Sequence, residues 1–253
     1  MSTSSKTKAT TPMMSRRERI TKCVAGAVGA LLIAVLLARS PLIREIWVQC
    51  LSRLGAPAVS LIMRSVSDED AGVQMVAREA LCQIGADAVP TMIRLLKDEH
   101  PAKRWLGANL LAMLRENARS ALPPLIESLR DSDSGVRTEA ARALGSIGPA
   151  AASAFPELDV ALQDSVPGVR LETVRSLCQI GGDPDDVVAC LIIALNDSEA
   201  GVRLEVINGL SSLGLAARRA ISALQQAQND PDERVREEAD ELLEVLGVAQ
   251  KIR

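Results

Sequence analysis

A period of 33 residues runs through most of this 253-residue chain and constrains its fold more than any other feature. Val136-Arg137, Val169-Arg170, Val202-Arg203 and Val235-Arg236 keep that step, as do Ile147-Gly148, Ile180-Gly181, Leu213-Gly214 and Leu246-Gly247. Three more columns stay in phase: Asp131, Asp164, Asp197 and Asp230; Glu139, Glu172, Glu205 and Glu238; Leu125, Leu158, Leu191 and Leu224. Such phase-locking is the mark of stacked, equivalent supersecondary units, each too small to bury its own apolar faces. Earlier units are less strict, marked by Asp98 and Arg104, then Asp68, Val73 and Ile84-Gly85, then Leu54-Gly55, and the Asp68 to Asp98 step is three residues short. Counted from Ile43, the chain holds six two-helix units and a half unit, Pro231 to Gly247.

Each unit reads as a helical hairpin. After an Asp-x-x-x-Gly turn, Val136, Ala140, Ala143, Leu144 and Ile147 fall on one face at helical spacing. Gly148 follows as the expected left-handed stop. Pro90, Pro123 and Pro156 open the second helix, where a missing N–H costs no hydrogen bond. Leu125 and Leu129, Leu158 and Leu162, and Leu191 and Leu195 are each four apart and share a face. The last half unit sets Val235, Ala239, Leu242, Leu243 and Leu246 inward beneath a charged outer face, which is a capping composition.

Composition supports helices and argues against chemistry. There is no tyrosine, one phenylalanine, Phe155, and two tryptophans, Trp47 and Trp105, whereas sheets and ligand pockets lean on aromatics. His100 is the one histidine and sits in an inter-unit turn, so no His-based triad and no multi-imidazole metal site can form. The expectation is no enzyme, no cofactor and no metal. Residues 1–22 carry a net +5, which leaves −8 for the rest of a chain with a net charge of −3. An acidic body is a poor partner for phosphate backbones, and nucleic acid is not expected.

The N-terminus reads as membrane-directed. Residues 1–22 are basic and Ser/Thr-rich and are expected to be disordered, and a segment at 23–39 follows, with Cys23 to Ala38 free of charge. Sixteen such residues rise roughly 24 Å as a helix, and flanking residues complete a short span. An uncleaved anchor and a cleaved signal both fit, although Leu36 and Ala38 make a poor cleavage site. Ser15-Arg16-Arg17-Glu18-Arg19 is similar in part to a twin-arginine export signal. The six basic residues before the span outnumber Arg39, Arg44 and Arg53 after it, which puts the N-terminus in the cytoplasm and the body outside, as a single-pass protein or an exported soluble one. The repeat body is expected over 42–247 and a tail over 248–253.

The string Asp131 to Gly148, D-x-x-x-x-V-R-x-x-A-x-x-A-L-x-x-I-G, echoed three times, resembles the HEAT-like repeat, including the subgroup named for phycobilin lyases. The resemblance implies an all-α, right-handed solenoid of about six hairpins with a C-terminal capping half repeat, preceded here by one hydrophobic helix. It also implies second helices lining a concave face, and a structural ladder between turns formed by Asp131, Asp164, Asp197 and Asp230 with Arg137, Arg170, Arg203 and Arg236. The expected role is a membrane-tethered scaffold for a protein or peptide partner, with a bilin lyase-like or chaperone-like holder of pigment and apoprotein as the alternative. Positions between the second-helix leucines give the candidate binding residues Arg94, Lys97, Glu127, Arg130, Asp159, Gln163, Asn196, Arg218, Arg219 and Gln225. Among the cysteines, Cys50, Cys82 and Cys178 fall in small-residue columns and are expected to be buried, whereas the column of Cys190 suggests an exposed thiol.

Overall fold

A computed structural model describes residues 41–248. The expected membrane segment at 23–39, the basic stretch before it and the tail from 249 on lie outside the described residues. Among the described residues there are thirteen α-helices and no strand. They pair as α1 Pro41–Ser52 with α2 Val59–Ser65, α3 Ala71–Ile84 with α4 Val89–Leu96, and α5 Pro101–Leu114 with α6 Leu122–Ser128. Then come α7 Ser134–Ile147 with α8 Phe155–Ala161, α9 Pro167–Ile180 with α10 Pro184–Ala194, and α11 Ala200–Ser212 with α12 Ile221–Ala227. The unpaired α13, Glu233–Val245, closes the stack. No described helix is long and apolar enough to cross a membrane.

The hairpins stack because neither helix can bury its stripe alone. Val136, Ala140, Ala143, Leu144 and Ile147 are all buried, as are Leu125, Leu158, Leu191 and Leu224 from the second helices. Each fully buried leucine contributes about 1.5–3 kcal/mol relative to an exposed one. One continuous apolar strip therefore runs from Val48 to Leu246. At the C-terminal end Val235, Ala239, Leu242 and Leu243 face inward, while Glu237, Glu238, Glu241 and Glu244 are exposed.

Local chemistry fixes the helix ends. Asp70 and Asp133 cap α3 and α7 by accepting backbone N–H bonds from Val73 and Val136. The stops differ from expectation: Gly85, Gly148 and Gly181 have φ of 67°, 73° and 67°, but ψ of −133°, −146° and −140°. This is an extended, positive-φ conformation and not the left-handed helical one. It is close to glycine-only territory, so the glycine column is a steric requirement. Arg115 occupies that column after α5, with φ 51° and ψ −130°.

Most first helices pack side by side, and small residues set how closely. A Cβ on Gly145 would lie 2.9 Å from Ser176 Cα, so the missing side chain lets α9 settle onto α7. There Ser176 donates to the Ala141 carbonyl at 2.7 Å. The junction of the second and third units differs: α3 and α5 touch over a short stretch, and α5 instead lies along α4. Gly107 permits this, since a Cβ there would meet Met92 O and Leu95 Cβ, each at 2.9 Å.

Candidate functional site

The Arg and Asp columns meet between successive units. Arg137 donates through Nε and Nη2 to both oxygens of Asp164, at 2.7 and 2.9 Å, while its Nη1 bonds the Asp131 carbonyl at 2.9 Å. Arg170 holds Asp197 and Arg203 holds Asp230 in the same two-pronged way, with all four distances between 2.6 and 2.7 Å. Arg104 adds a rung to Asp131 at 2.7 Å, a member of the column that the ladder expectation left out. Each carboxylate also accepts a backbone N–H from its own turn, as Asp164 does from Val166. These groups lie deep; at the last rung the Arg203 and Asp230 side chains are 9% and 8% exposed. Burial is the strongest single influence on the Asp164, Asp197 and Asp230 carboxyls and pushes them up, but the arginine bonds, the turn N–H donors and the arginine charges together outweigh it and hold all three below their ordinary value. At Asp131 the Arg104 bond is the largest influence, and it acts downward.

The ladder stops at both ends of its run. Gln74 stands where the other units have arginine; its amide reaches the Asp68 carbonyl at 2.6 Å. Asp98 is then held from its own turn, by the His100 N–H and ring and by Lys103. These bonds, the His100 backbone donor first, hold its carboxyl down at about 2. The His100 side chain is 72% exposed, a surface turn residue. At the other end Arg236 makes the inner half of a rung, to the carbonyls of Asp230 and Pro231.

The second helices carry the charges that the ladder does not use. Lys97, Arg130, Gln163 and Asn196 are exposed at equivalent positions of four successive units, and so are Arg94, Glu127, Val160 and Ile193. Lys97, Glu127 and Arg130 come together around a hollow of about 410 Å³ that Leu96, Pro124, Ser128 and Asp131 complete. Arg94 bonds Thr91 on its own helix at 2.9 Å. Asp159 and Gln225 are exposed in the next column over. Arg218 and Arg219 do not join this face: they belong to the tight turn Gly214–Ala220 before α12, where Arg219 pairs with Asp185 at 2.5 Å.

The first helices carry a second charge line that sequence reasoning noted only as a glutamate column. Glu139 accepts from Asn109 and pairs with Arg142, and Arg175 lies between Glu172, at 3.6 Å, and Glu205, at 2.9 Å. Burial pushes the Glu172 carboxyl up. The signal was present as Glu139/Arg142 and Glu172/Arg175, pairs three apart on a helix face. Beside this line Cys82, Asn109, Arg115, Arg142, Gly145 and Gln179 border a half-open cleft of about 600 Å³.

Two cysteine expectations are overturned. Cys190 is buried, and its Sγ donates to Asp159 Oδ1 at 3.1 Å; desolvation, then that carboxylate, pushes the thiol up to about 12. The column is half-buried in the neighbouring units, at Thr91, Pro124, Glu157 and Ala223, so its polar letters overstate its exposure. Cys50, expected inside, is exposed, because it lies on α1, whose outer side has no described hairpin stacked on it. Cys82 and Cys178 are half-buried, and burial pushes the Cys178 thiol up to about 11.

With this geometry in hand, the model of the family described as HEAT repeats matches residues 66–144, 89–159 and 155–244. The chain belongs to the HEAT-repeat family. Comparison with curated proteins gives no match. Among solved structures, an engineered protein aligns with a TM-score of 0.55 at 21% identity, over 89% of this chain and 70% of its own. The complex of CpcE and CpcF of phycocyanin lyase from Nostoc sp. PCC7120 aligns at 0.54 and 23% identity, over 60% and 98%. A designed armadillo repeat protein in complex with the peptide (KR)4 aligns at 0.53 and 19%, over 74% and 99%. At these identities the likeness is one of fold. Within this HEAT-repeat chain Arg104, Arg137, Arg170 and Arg203 are committed to the array, whereas Arg94, Lys97 and Arg130 are exposed and form no ion pair with a described residue.

Proposed function

We propose that this chain is a non-enzymatic protein-interaction scaffold that receives an extended polypeptide along its second helices. The observation that carries the reading is the pair of exposed columns, Lys97 to Asn196 and Arg94 to Ile193, which cross four successive hairpins. The arginines and aspartates of the same units are spent on the ladder. Helical arrays of this kind present extended surfaces through repetition. The peptide named with the designed armadillo structure is in keeping with such a surface. With few aromatics to serve as anchors, contact is broad and polar, and affinity is modest. A membrane tether belongs to the same proposal: residues 23–39 anchor the array, with the basic stretch on the cytoplasmic side and the solenoid on the other.

A photo-crosslinking residue in place of Gln163 or Asn196, in native membranes, tests this. Adducts to a polypeptide from those positions, and none from the same residue in place of exposed Met75 on α3, are the expected outcome. Equal labelling from both sides, or none from either, contradicts it. Pigment holding, the alternative, has the fold likeness to CpcE and CpcF in its favour. Co-expression with bilin and apoprotein that yields bound colour would displace the scaffold reading.

A further inference from the structure

The second-helix face is not uniform along its length, and the change has a direction. At the N-terminal end Arg64 on α2, Arg94 on α4, Lys97 just beyond it and Arg130 just beyond α6 are all exposed, against the single exposed carboxylate Glu127 in the same columns. None of the four cations is ion-paired to a described residue. Farther on, α8 and α10 contain no lysine or arginine. Their outward position in the Arg94 column holds Val160, 64% exposed, and Ile193, 61% exposed. Glu157, Asp159, Asp185 and Asp186 lie on the same two helices. A helix in this array has no folding reason to show a branched aliphatic side chain to water at that position, because Glu127 and Gln226 serve there in adjacent units.

The spacing of the columns restricts the ligand's conformation. Packed helices stand about 8–10 Å apart. A polyproline-type chain rises about 3.1 Å per residue with three residues per turn, so every third side chain returns to the same side after about 9 Å. An extended ligand lying across the second helices in that form meets one helix with each third residue.

We infer that the ligand taken by this face, on the scaffold reading above, is a bipartite peptide in a polyproline-type conformation. It carries carboxylates three residues apart where it crosses α4 and α6, and branched aliphatic side chains three residues apart where it crosses α8 and α10. Arg94, Lys97 and Arg130 receive the acids, and Val160 and Ile193 receive the aliphatics. Glu157, Asp159 and Asp186 repel an acidic segment from the apolar end, so the charge gradient also fixes which end of the ligand lies over which end of the face.

Selection of a displayed library of random 12-residue peptides on the full chain in detergent micelles tests this. The expected consensus is acid-x-x-acid-x-x-aliphatic-x-x-aliphatic, or the same pattern reversed in direction. A synthetic consensus peptide binds at least tenfold more tightly than its scrambled version. Lys97→Glu with Arg130→Glu weakens it at least tenfold and flattens its salt dependence, whereas Val160→Ser with Ile193→Ser weakens it with the salt dependence unchanged. A different consensus that still loses binding to the Lys97/Arg130 reversal overturns the bipartite ligand and leaves the scaffold reading standing. No enrichment at all, or enrichment insensitive to every one of these exposed substitutions, overturns both.

Discussion

Units three to six and the junction of units two and three solve the same stacking problem with different means. From α5 onward each first helix is tied to the next inter-unit turn by a two-pronged Arg–Asp rung, and α7 and α9 close up at Gly145. Between α3 and α5 the rung is missing, Gln74 reaches only a backbone carbonyl, and contact is transferred to α4 through Gly107. A repeat array therefore tolerates loss of its most regular bond when another helix pair takes over the packing. The hollow formed by Lys97, Glu127 and Arg130 sits across this irregular junction, between the second helices of units two and three.

Acid acts on all the rungs at once and should separate the two regions most widely. A carboxylate held below its unfolded value, about 3.9, contributes stability that is complete above that value. The contribution is lost as pH falls through the folded one. Asp131, Asp164, Asp197 and Asp230 are all lowered, so unfolding monitored by circular dichroism should show stability falling steeply below about pH 4. Asp164→Asn should flatten that limb more than Asp98→Asn, because the Lys103 and His100 side chains that hold Asp98 are exposed and screened. Next in size, Arg170→Ala strands a buried carboxylate and should lower stability in urea by about 3 kcal/mol. Gln74→Ala at the irregular junction loses one neutral bond, about 1 kcal/mol. Gly107→Ala, which drives a methyl into the Met92 carbonyl, should lower stability by about 2 kcal/mol. Gly168→Ala, with open space around it, should not lower it at all. In the opposite sense, Arg115→Gly relieves the positive φ and should raise stability by about 1 kcal/mol.

The same contrast separates what the sequence made legible from what it hid. The rungs were readable because Arg137 to Asp164 spans the same 27 residues as Arg170 to Asp197, so a constant step in sequence became a constant distance in space. The second-helix columns were readable for the same reason, and Lys97, Glu127 and Arg130 do gather around one hollow. At the irregular junction Asp98 keeps its column letter while its partner column has changed to Gln74, and periodicity alone registers the first fact and not the second. The depth of Cys190 is hidden because polar letters such as Thr91 and Glu157 occupy a column that is itself half-buried. Arg218 and Arg219 were placed by counting residues, but they fall in the turn Gly214–Ala220, which takes them off the helix face.

Labour is divided among the charges: the ladder arginines and aspartates hold the array together, and Lys97 and Arg130 are spare. Urea unfolding of Lys97→Glu with Arg130→Glu, beside Arg137→Ala, tests it directly. The face variant should stay within about 0.5 kcal/mol of the parent, and the ladder variant should lose about 3 kcal/mol. Equal losses in the two variants, or a face variant less stable than the broken rung, would contradict it.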